Sequence, residues 1–459
     1  MKAYKLQKAR AYIKRYGVKK LLYKVMERWS TDSDYNNIRK NEVATAEILE
    51  HQQNTMFKDA PVISIIMPAY NTPPQSLRQT LLSVKKQSYS KWELCISDGG
   101  NISVKPVIDE IFGDDERIKY KKLKDNLGIS GNSNEALAIA TGDFVAFLDH
   151  DDILEPDVLY EVASVIMNTG ADMVYTDEDK VSENLENYFR PYRKPDYNKE
   201  LLLSNNYICH FCAISRSIID KTGGFRSEYD GAQDYDLFLR CTEYATGIQH
   251  INKVLYHWRV STESTSDNPF NKEYAFLAGK RAIEDYLSRN GLSECAQVVE
   301  LEDPGYFRVE YKGEIKASVQ VLKPQDKINE ADYYLLINDN MEILSDWQKH
   351  LVGTAVLTGA DIVVPKIIKN RKYEYSGLAK RGNGTIKSLK ESPMWYKGEF
   401  NLGITNMNVC QVPKQGILVS KYIIDRVVGY NGNMINNSDE EFKGIKMVYA
   451  PAALIKIKK

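Results

Sequence analysis

The chain has 459 residues, more than one ordinary core of roughly 100–200 residues accommodates, so two or three domains are expected. Its 43% hydrophobic and 27% charged content is that of a globular protein, and no apolar run reaches the about 18 residues of a membrane-spanning helix. The 61 basic and 62 acidic residues cancel to −1, and no recognition motif accompanies the basic segments, which excludes nucleic acid as the expected partner.

The first thirty residues carry Lys2, Lys5, Lys8, Arg10, Lys14, Arg15, Lys19, Lys20, Lys24 and Arg28 against Glu27 alone. Leu21, Leu22, Val25, Met26 and Trp29 recur at helical spacing, which predicts a basic amphipathic helix within a segment spanning 1–58. Residues 1–30 are expected to lie on an anionic membrane surface at the cytoplasmic face, or else to pack as a solvated helix. Six cysteines, with no cleavable signal peptide expected before them, predict reduced thiols in the cytosol. Cys209-His210-Phe211-Cys212 lacks a second ligand pair for zinc.

After a polar stretch to about Asp59, Val62-Ile63-Ser64-Ile65-Ile66-Met67 predicts a strand buried on both faces. A helix at Leu77 to Gln87, a strand at Trp92 to Ser97, a helix at Lys105 to Phe112 and a strand at Ile118 to Leu123 follow. A helix opening after Gly131 and a strand at Phe144 to Leu148 complete an alternation that predicts βαβ units and a mostly parallel sheet. Ligands of such sheets bind beyond the strands' carboxyl ends. Those ends are Ala69-Tyr70-Asn71, Asp98-Gly99-Gly100 and Asp149-His150-Asp151-Asp152.

Three carboxylates on one tight loop raise one another's pKa unless a cation neutralises them. Hard oxygen ligands beside room for phosphates suit Mg²⁺ or Mn²⁺. An EF-hand is excluded by Ile153 and Tyr160 at its ligand positions, and a helix cap explains one of the acids, not three. No glycine-rich phosphate loop follows the first strand, where the chain reads Pro68-Ala69-Tyr70-Asn71-Thr72-Pro73, so the charge of a diphosphate falls to the cation.

With Tyr175-Thr176-Asp177-Glu178-Asp179, Gly223-Gly224-Phe225-Arg226, Gln233-Asp234-Tyr235-Asp236-Leu237 and Tyr256-His257-Trp258-Arg259 following in that order, the chain resembles the family-2 glycosyltransferases over about 61–290. That resemblance implies the GT-A fold, an α/β catalytic domain over 59–298, and transfer from a nucleotide-diphosphate sugar. The acceptor it implies is a saccharide or a polyprenyl-phosphate-linked glycan of a bacterial surface polysaccharide or cell wall. It gives Asp149, Asp151 and His257 to the metal, and Pro68, Ala69, Tyr70, Asn71, Asp98, Asp149, His150 and Asp151 to the nucleotide sugar. Asp234 is the implied general base, and Asp177, Glu178, Asp179, Gln233, Trp258 and Arg259 are implied contacts of donor or acceptor. Gly99 stands where many relatives carry a second acid that recognises the base; a UDP-sugar is favoured, with a dTDP-sugar as the alternative. A base on one side of the anomeric carbon and a metal on the other describe one in-line, inverting displacement. The charge run 177–180 would otherwise be a solvated turn.

Beyond about Asp303 the pattern restarts: a strand at Tyr333 to Ile337, Asn338-Asp339-Asn340 in place of a metal loop, a helix at Trp347 to Leu357 and a strand at Ile362 to Pro365. Ser438-Asp439-Glu440-Glu441 stands where a base would be, and no Tyr-His-Trp-Arg equivalent is expected to close the copy. Residues 299–459 are therefore expected to be a degenerate glycosyltransferase-like domain. The competing classes are a sugar nucleotidyltransferase, which lacks its phosphate loop here, and a catalytically degenerate carbohydrate-binding or scaffold protein.

Overall fold

The computed structural model describes residues 34–260, 273–324, 326–424 and 444–458, with scattered positions before residue 34. The basic helix expected over 1–30 falls largely outside them, as does the 438–441 segment. Among the described residues no helix is long and apolar enough to cross a membrane. The chain forms two compact units, one of Met1–Arg193, His210–Lys221 and Ile251–Asp267, the other of Lys194–Cys209, Thr222–His250 and Asn268–Lys459.

The first unit is built on β1 (Ile63–Ala69), β2 (Trp92–Asp98), β3 (Ile118–Lys122), β4 (Phe144–Phe147), β5 (Ile153–Leu154), β6 (Met173–Ser182), β7 (Tyr188–Tyr192), β8 (Cys212–Ser215) and β9 (Ile248–Val260). They lie in the order β3-β2-β1-β4-β8-β6-β9-β5, with β7 beside β6. The first four are parallel, β8 runs antiparallel to β4 and β6, and β5 is antiparallel to β9. Every residue of β1 and β2 is buried, as their unbroken apolar runs require of strands covered on both faces. Leu77 and Leu81 of the helix Pro74–Lys85, and Val158 and Val162 of the helix Val158–Thr169, pack into the same core. The second helix spaces its buried residues at i, i+1, i+4, i+5 and i+8 and stops at Gly170, whose φ of 68° is left-handed.

In the second unit β10 (Ala296–Glu300) and β11 (Phe307–Tyr311) pair alone. Its main sheet contains β12 (Val319–Leu322), β13 (Tyr333–Leu336), β14 (Met341–Ile343), β15 (Ile362–Lys369) and β16 (Lys372–Tyr375). A two-residue hairpin, β17 (Lys380–Arg381) and β18 (Gly384–Thr385), stands apart, and β19 (Met407–Asn408), β20 (Ile417–Ser420) and β21 (Met447–Ile457) complete the main sheet. Its order is β12-β13-β20-β15-β21-β14, with β16 beside β15.

This is the order β1-β4-β8-β6-β9-β5, with β7 beside β6, repeated strand for strand. The register repeats as well: Val419 lies between Tyr334 and Ile362 as Ile214 lies between Val145 and Met173. Ile337 N–H donates to Leu322 as Leu148 N–H donates to Ile66, and Ser420 N–H donates to Asp361 as Ser215 N–H donates to Asp172. Thr169-Gly170-Ala171-Asp172 recurs as Thr358-Gly359-Ala360-Asp361, 189 residues on, with both glycines left-handed at a helix end. Counterparts of β2 and β3 are absent among the described residues, and β12 is an edge strand. β21 stands where β9 stands in the first sheet, and at the register of Tyr-His-Trp-Arg it carries Ile455-Lys456-Ile457-Lys458.

Candidate functional site

At the carboxyl ends of β1 and β2, Pro68 and Ala69 pair in register with Ser97 and Asp98. Asn71 turns the chain with a left-handed φ of 48°, and its Oδ1 accepts from Asn101 N–H at 2.9 Å. Tyr70, between them, is 45% exposed. Asp98 is fully buried; burial would raise its pKa, but donors from Val104 N–H, Tyr120, Gly100 N–H and Lys122 outweigh it and hold it below the carboxylate range. A Cβ on Gly99 would stand 2.8 Å from Asn132 Nδ2, so Asn132 fills the place where an acidic side chain would begin.

The 149–152 loop follows β4. Asp149 is exposed, His150 and Asp151 are half-buried, and Asp152 is buried. Asp152 accepts from Tyr256 OH at 2.5 Å and from Arg259 N–H at 2.8 Å, so it anchors the loop to β9 and caps no helix. Asp157, which precedes the helix Val158–Thr169, makes no side-chain cap bond either. Burial and the Asp149 charge raise the Asp151 pKa against the pull of His150 and Arg259, and burial with both neighbours raises Asp152 further. His150 Nδ1 and Arg259 Nη2 are buried there without hydrogen-bond partners. An under-compensated acid pair beside an unpartnered guanidinium nitrogen fits a divalent cation with a diphosphate. Among the described residues no three ligating side chains converge on one point, so such a cation would complete its shell from phosphate and water, as Mg²⁺ ordinarily does.

Behind this loop lies a buried charge chain that sequence reasoning did not assemble. His257 Nδ1 is 2.6 Å from Asp179 and Nε2 is 2.9 Å from Glu155. Tyr35 OH donates to the other Asp179 oxygen at 2.7 Å, while Arg39 pairs with Glu155 and lies 3.6 Å over the Tyr188 ring. Burial would lower the His257 pKa, but the two carboxylates raise it to about 9. Both ring nitrogens of the residue that the resemblance assigns to the metal are thus engaged by carboxylates of the chain in this structure. The 177–179 run is likewise no solvated turn: Asp177, Glu178 and Asp179 are all buried in β6, and Glu178 accepts from His210 N–H at 3.0 Å. Trp258 carries Lys180 Nζ 4.1 Å over its ring.

Asp234 belongs to the second unit, in the first turn of the helix Gln233–Thr242, where a carboxylate meets the positive end of the helix dipole. It accepts from Asn206 Nδ2 at 2.9 Å and from Tyr235 N–H at 2.8 Å, and Gln233 accepts from Gly231 N–H at 2.9 Å. Buried Asp236 ties that helix to Arg226 and pairs at 2.8 Å with Arg240 of the same helix, which also donates to the Thr222 carbonyl at 2.7 Å. All six cysteines are free thiols.

A family model described as Glycosyl transferase family 2 matches residues 64–223, from β1 through β8. The chain is 33% identical over 358 residues to the uncharacterized protein y4gI of Sinorhizobium fredii, covering 76% of this chain and 38% of that protein. It is 33% identical over 266 residues to the O-antigen biosynthesis protein RfbC of Myxococcus xanthus, covering 57% of this chain and 20% of that one. It is 30% identical over 215 residues to the UDP-Glc:alpha-D-GlcNAc-diphosphoundecaprenol beta-1,3-glucosyltransferase WfgD of Escherichia coli, covering 46% of this chain and 82% of that enzyme. The chain thus spans well under half the length of the first two relatives.

Proposed function

The chain belongs to glycosyl transferase family 2, with the GT-A fold, and on that premise we propose that it is a metal-dependent, inverting transferase of bacterial surface-polysaccharide assembly. Its donor is a UDP-sugar and its acceptor a saccharide or a polyprenyl-phosphate-linked glycan, a reading supported by the donor and carrier in the name of the Escherichia coli relative. The observation that carries the metal is the Asp149 and Asp151 pair at the end of β4, where burial leaves Asp151 under-compensated. A bound Mn²⁺ or Mg²⁺ would supply Lewis-acid stabilisation of the charge that builds on the departing diphosphate. Asp149 and Asp151 would hold that ion, and Arg259, with its unpartnered nitrogen, would meet phosphate oxygen. Asp98 and the Pro68–Asn71 turn receive the nucleoside. Asp234, on the dipole-favoured first turn of its helix, takes the proton of the acceptor hydroxyl as it attacks the anomeric carbon. Half-buried Trp258 then offers its ring to donor or acceptor sugars, with buried Asp177 and Glu178 behind it in β6.

The test incubates the purified chain with UDP-, dTDP- and GDP-sugars, with Mn²⁺ or EDTA, and measures nucleoside diphosphate release. UDP release that EDTA abolishes is expected. In Asp151→Ala it should fall at least about a hundredfold, while Asp234→Ala should keep donor binding and lose roughly 10²–10⁴-fold in transfer. Release unchanged by EDTA removes the metal from the mechanism, and full transfer by the Asp234 variant removes the base.

A further inference from the structure

The repeated register fixes which residues of the second sheet stand where the first sheet keeps its charged groups. Met341 N–H donates to the Asn338 carbonyl as Asp152 N–H donates to the Asp149 carbonyl, which puts Asn338 and Asn340 at the places of Asp149 and Asp151. Glu342 pairs with Lys456 where Ile153 pairs with His257, and Ile367 pairs with Tyr375 where Glu178 pairs with Tyr192. The acids and the histidine have become amides, lysine and isoleucine. Hard-cation chemistry has gone from these positions, yet the space has not closed. A cavity of about 450 Å³ opens there, within the roughly 300–1,000 Å³ of small-molecule sites.

We propose that this cavity is a metal-free binding site for a pyranose sugar, a second saccharide site on the chain. Its walls combine what such a ligand needs. Ile367, Ile457 and the buried Tyr375 ring offer apolar surface for a sugar's C–H face, while Asn338, Ser388 and Lys414 offer hydrogen bonds to hydroxyls. Tyr375 is fixed by its own hydroxyl, which donates to the Gln411 carbonyl at 2.5 Å. The one acid of the lining, Glu374, is neutralised by Lys390 at 3.1 Å, which leaves no carboxylate pair to attract a divalent ion. Lys414 is exposed at the rim, so it can be changed without disturbing the core.

The inference borrows from the transferase reading only the expectation that sugars are the chain's ligands, and it is tested without donor or turnover. Saturation-transfer NMR on the full chain in EDTA, with N-acetylglucosamine and glucuronic acid as separate probes, should show binding of at least one sugar. Binding should weaken roughly tenfold in Lys414→Glu and in Asn338→Trp, the loss of about one hydrogen-bonded contact, and persist in Asp151→Ala. Binding of neither sugar, binding that requires Mn²⁺, or binding unmoved by both cavity variants would overturn the proposal. A chain that binds sugar in this way but releases no nucleotide would refute the transferase reading and leave this one standing.

Discussion

His257 is held between Asp179 and Glu155 with both ring nitrogens donating, and the charge it carries is the local counterweight to two buried carboxylates. Its pKa rises from an ordinary 6.5 to about 9, so its folded form binds a proton more tightly than its unfolded form does. The stabilisation is therefore fully present below pH 6.5 and is lost as pH rises through 9, an effect on the order of 3 kcal/mol. Glu155 is lowered by the same contact, and the two shifts count one interaction once. In His257→Gln the carboxylates lose their cation, which should cost roughly 3–5 kcal/mol at pH 6. Thermal melts of both chains at pH 6 and 9.5 should show the gap between them narrowing at the higher pH; a gap independent of pH would mean the ring is neutral. Tyr35→Phe, which strips one donor from Asp179, should cost about 1–3 kcal/mol in the same melts. These partners were invisible in the sequence because Tyr35 and Asp179 stand 144 residues apart and are joined by polar atoms, to which hydrophobic periodicity is blind. The acid loop was legible for the opposite reason. Asp149, Asp151 and Asp152 are contiguous and directly follow an apolar strand, so chain order alone put them at the sheet's edge.

Among the elements, β1, β2 and β4 were readable because burial on both faces leaves an unbroken apolar run. β6 was not: its middle is Thr-Asp-Glu-Asp-Lys, a composition that belongs to turns unless buried partners stand opposite. The helix Tyr35–Glu42 hid in a polar stretch because it docks through Tyr35, Arg39 and Asn36, whose side-chain oxygen accepts from Tyr188 N–H at 3.0 Å. The duplication of the sheet did leave a signal, the recurring Thr-Gly-Ala-Asp, and it marks a structural need. Gly170 and Gly359 end their helices at φ of 68° and 65°, and nothing stands within 4 Å of a Cβ built on either. Alanine would then meet only the backbone penalty of the left-handed region, about 1 kcal/mol. Gly170→Ala and Gly359→Ala should each lower the urea midpoint by a similar amount, and asparagine at the same positions by less. Unequal losses would show that one cap bears more than its own turn.

At the scale of the whole molecule, charge is balanced in total and lopsided in place. Ten lysines and arginines against one glutamate occupy the first thirty residues, while the remainder of the chain is correspondingly acidic. An acceptor carried on a polyprenyl phosphate stays at a membrane, so an enzyme for it gains from being held at that surface rather than meeting it by diffusion. Basic side chains near an anionic bilayer each contribute on the order of 1 kcal/mol, and the attraction fades over a Debye length of about 8 Å at physiological salt. A chain lacking residues 1–30 should therefore sediment with phosphatidylserine-containing liposomes far less than the full chain does. The full chain's binding should itself collapse in about 1 M salt, where the Debye length is about 3 Å. Neutral phosphatidylcholine vesicles should capture neither. Release of UDP in free solution should be the same for both chains, because the cation loop and its charge chain are built from residues after 34. Equal sedimentation of the two chains would assign the basic segment to the protein's own packing, and would leave the acceptor's carrier to bring enzyme and membrane together.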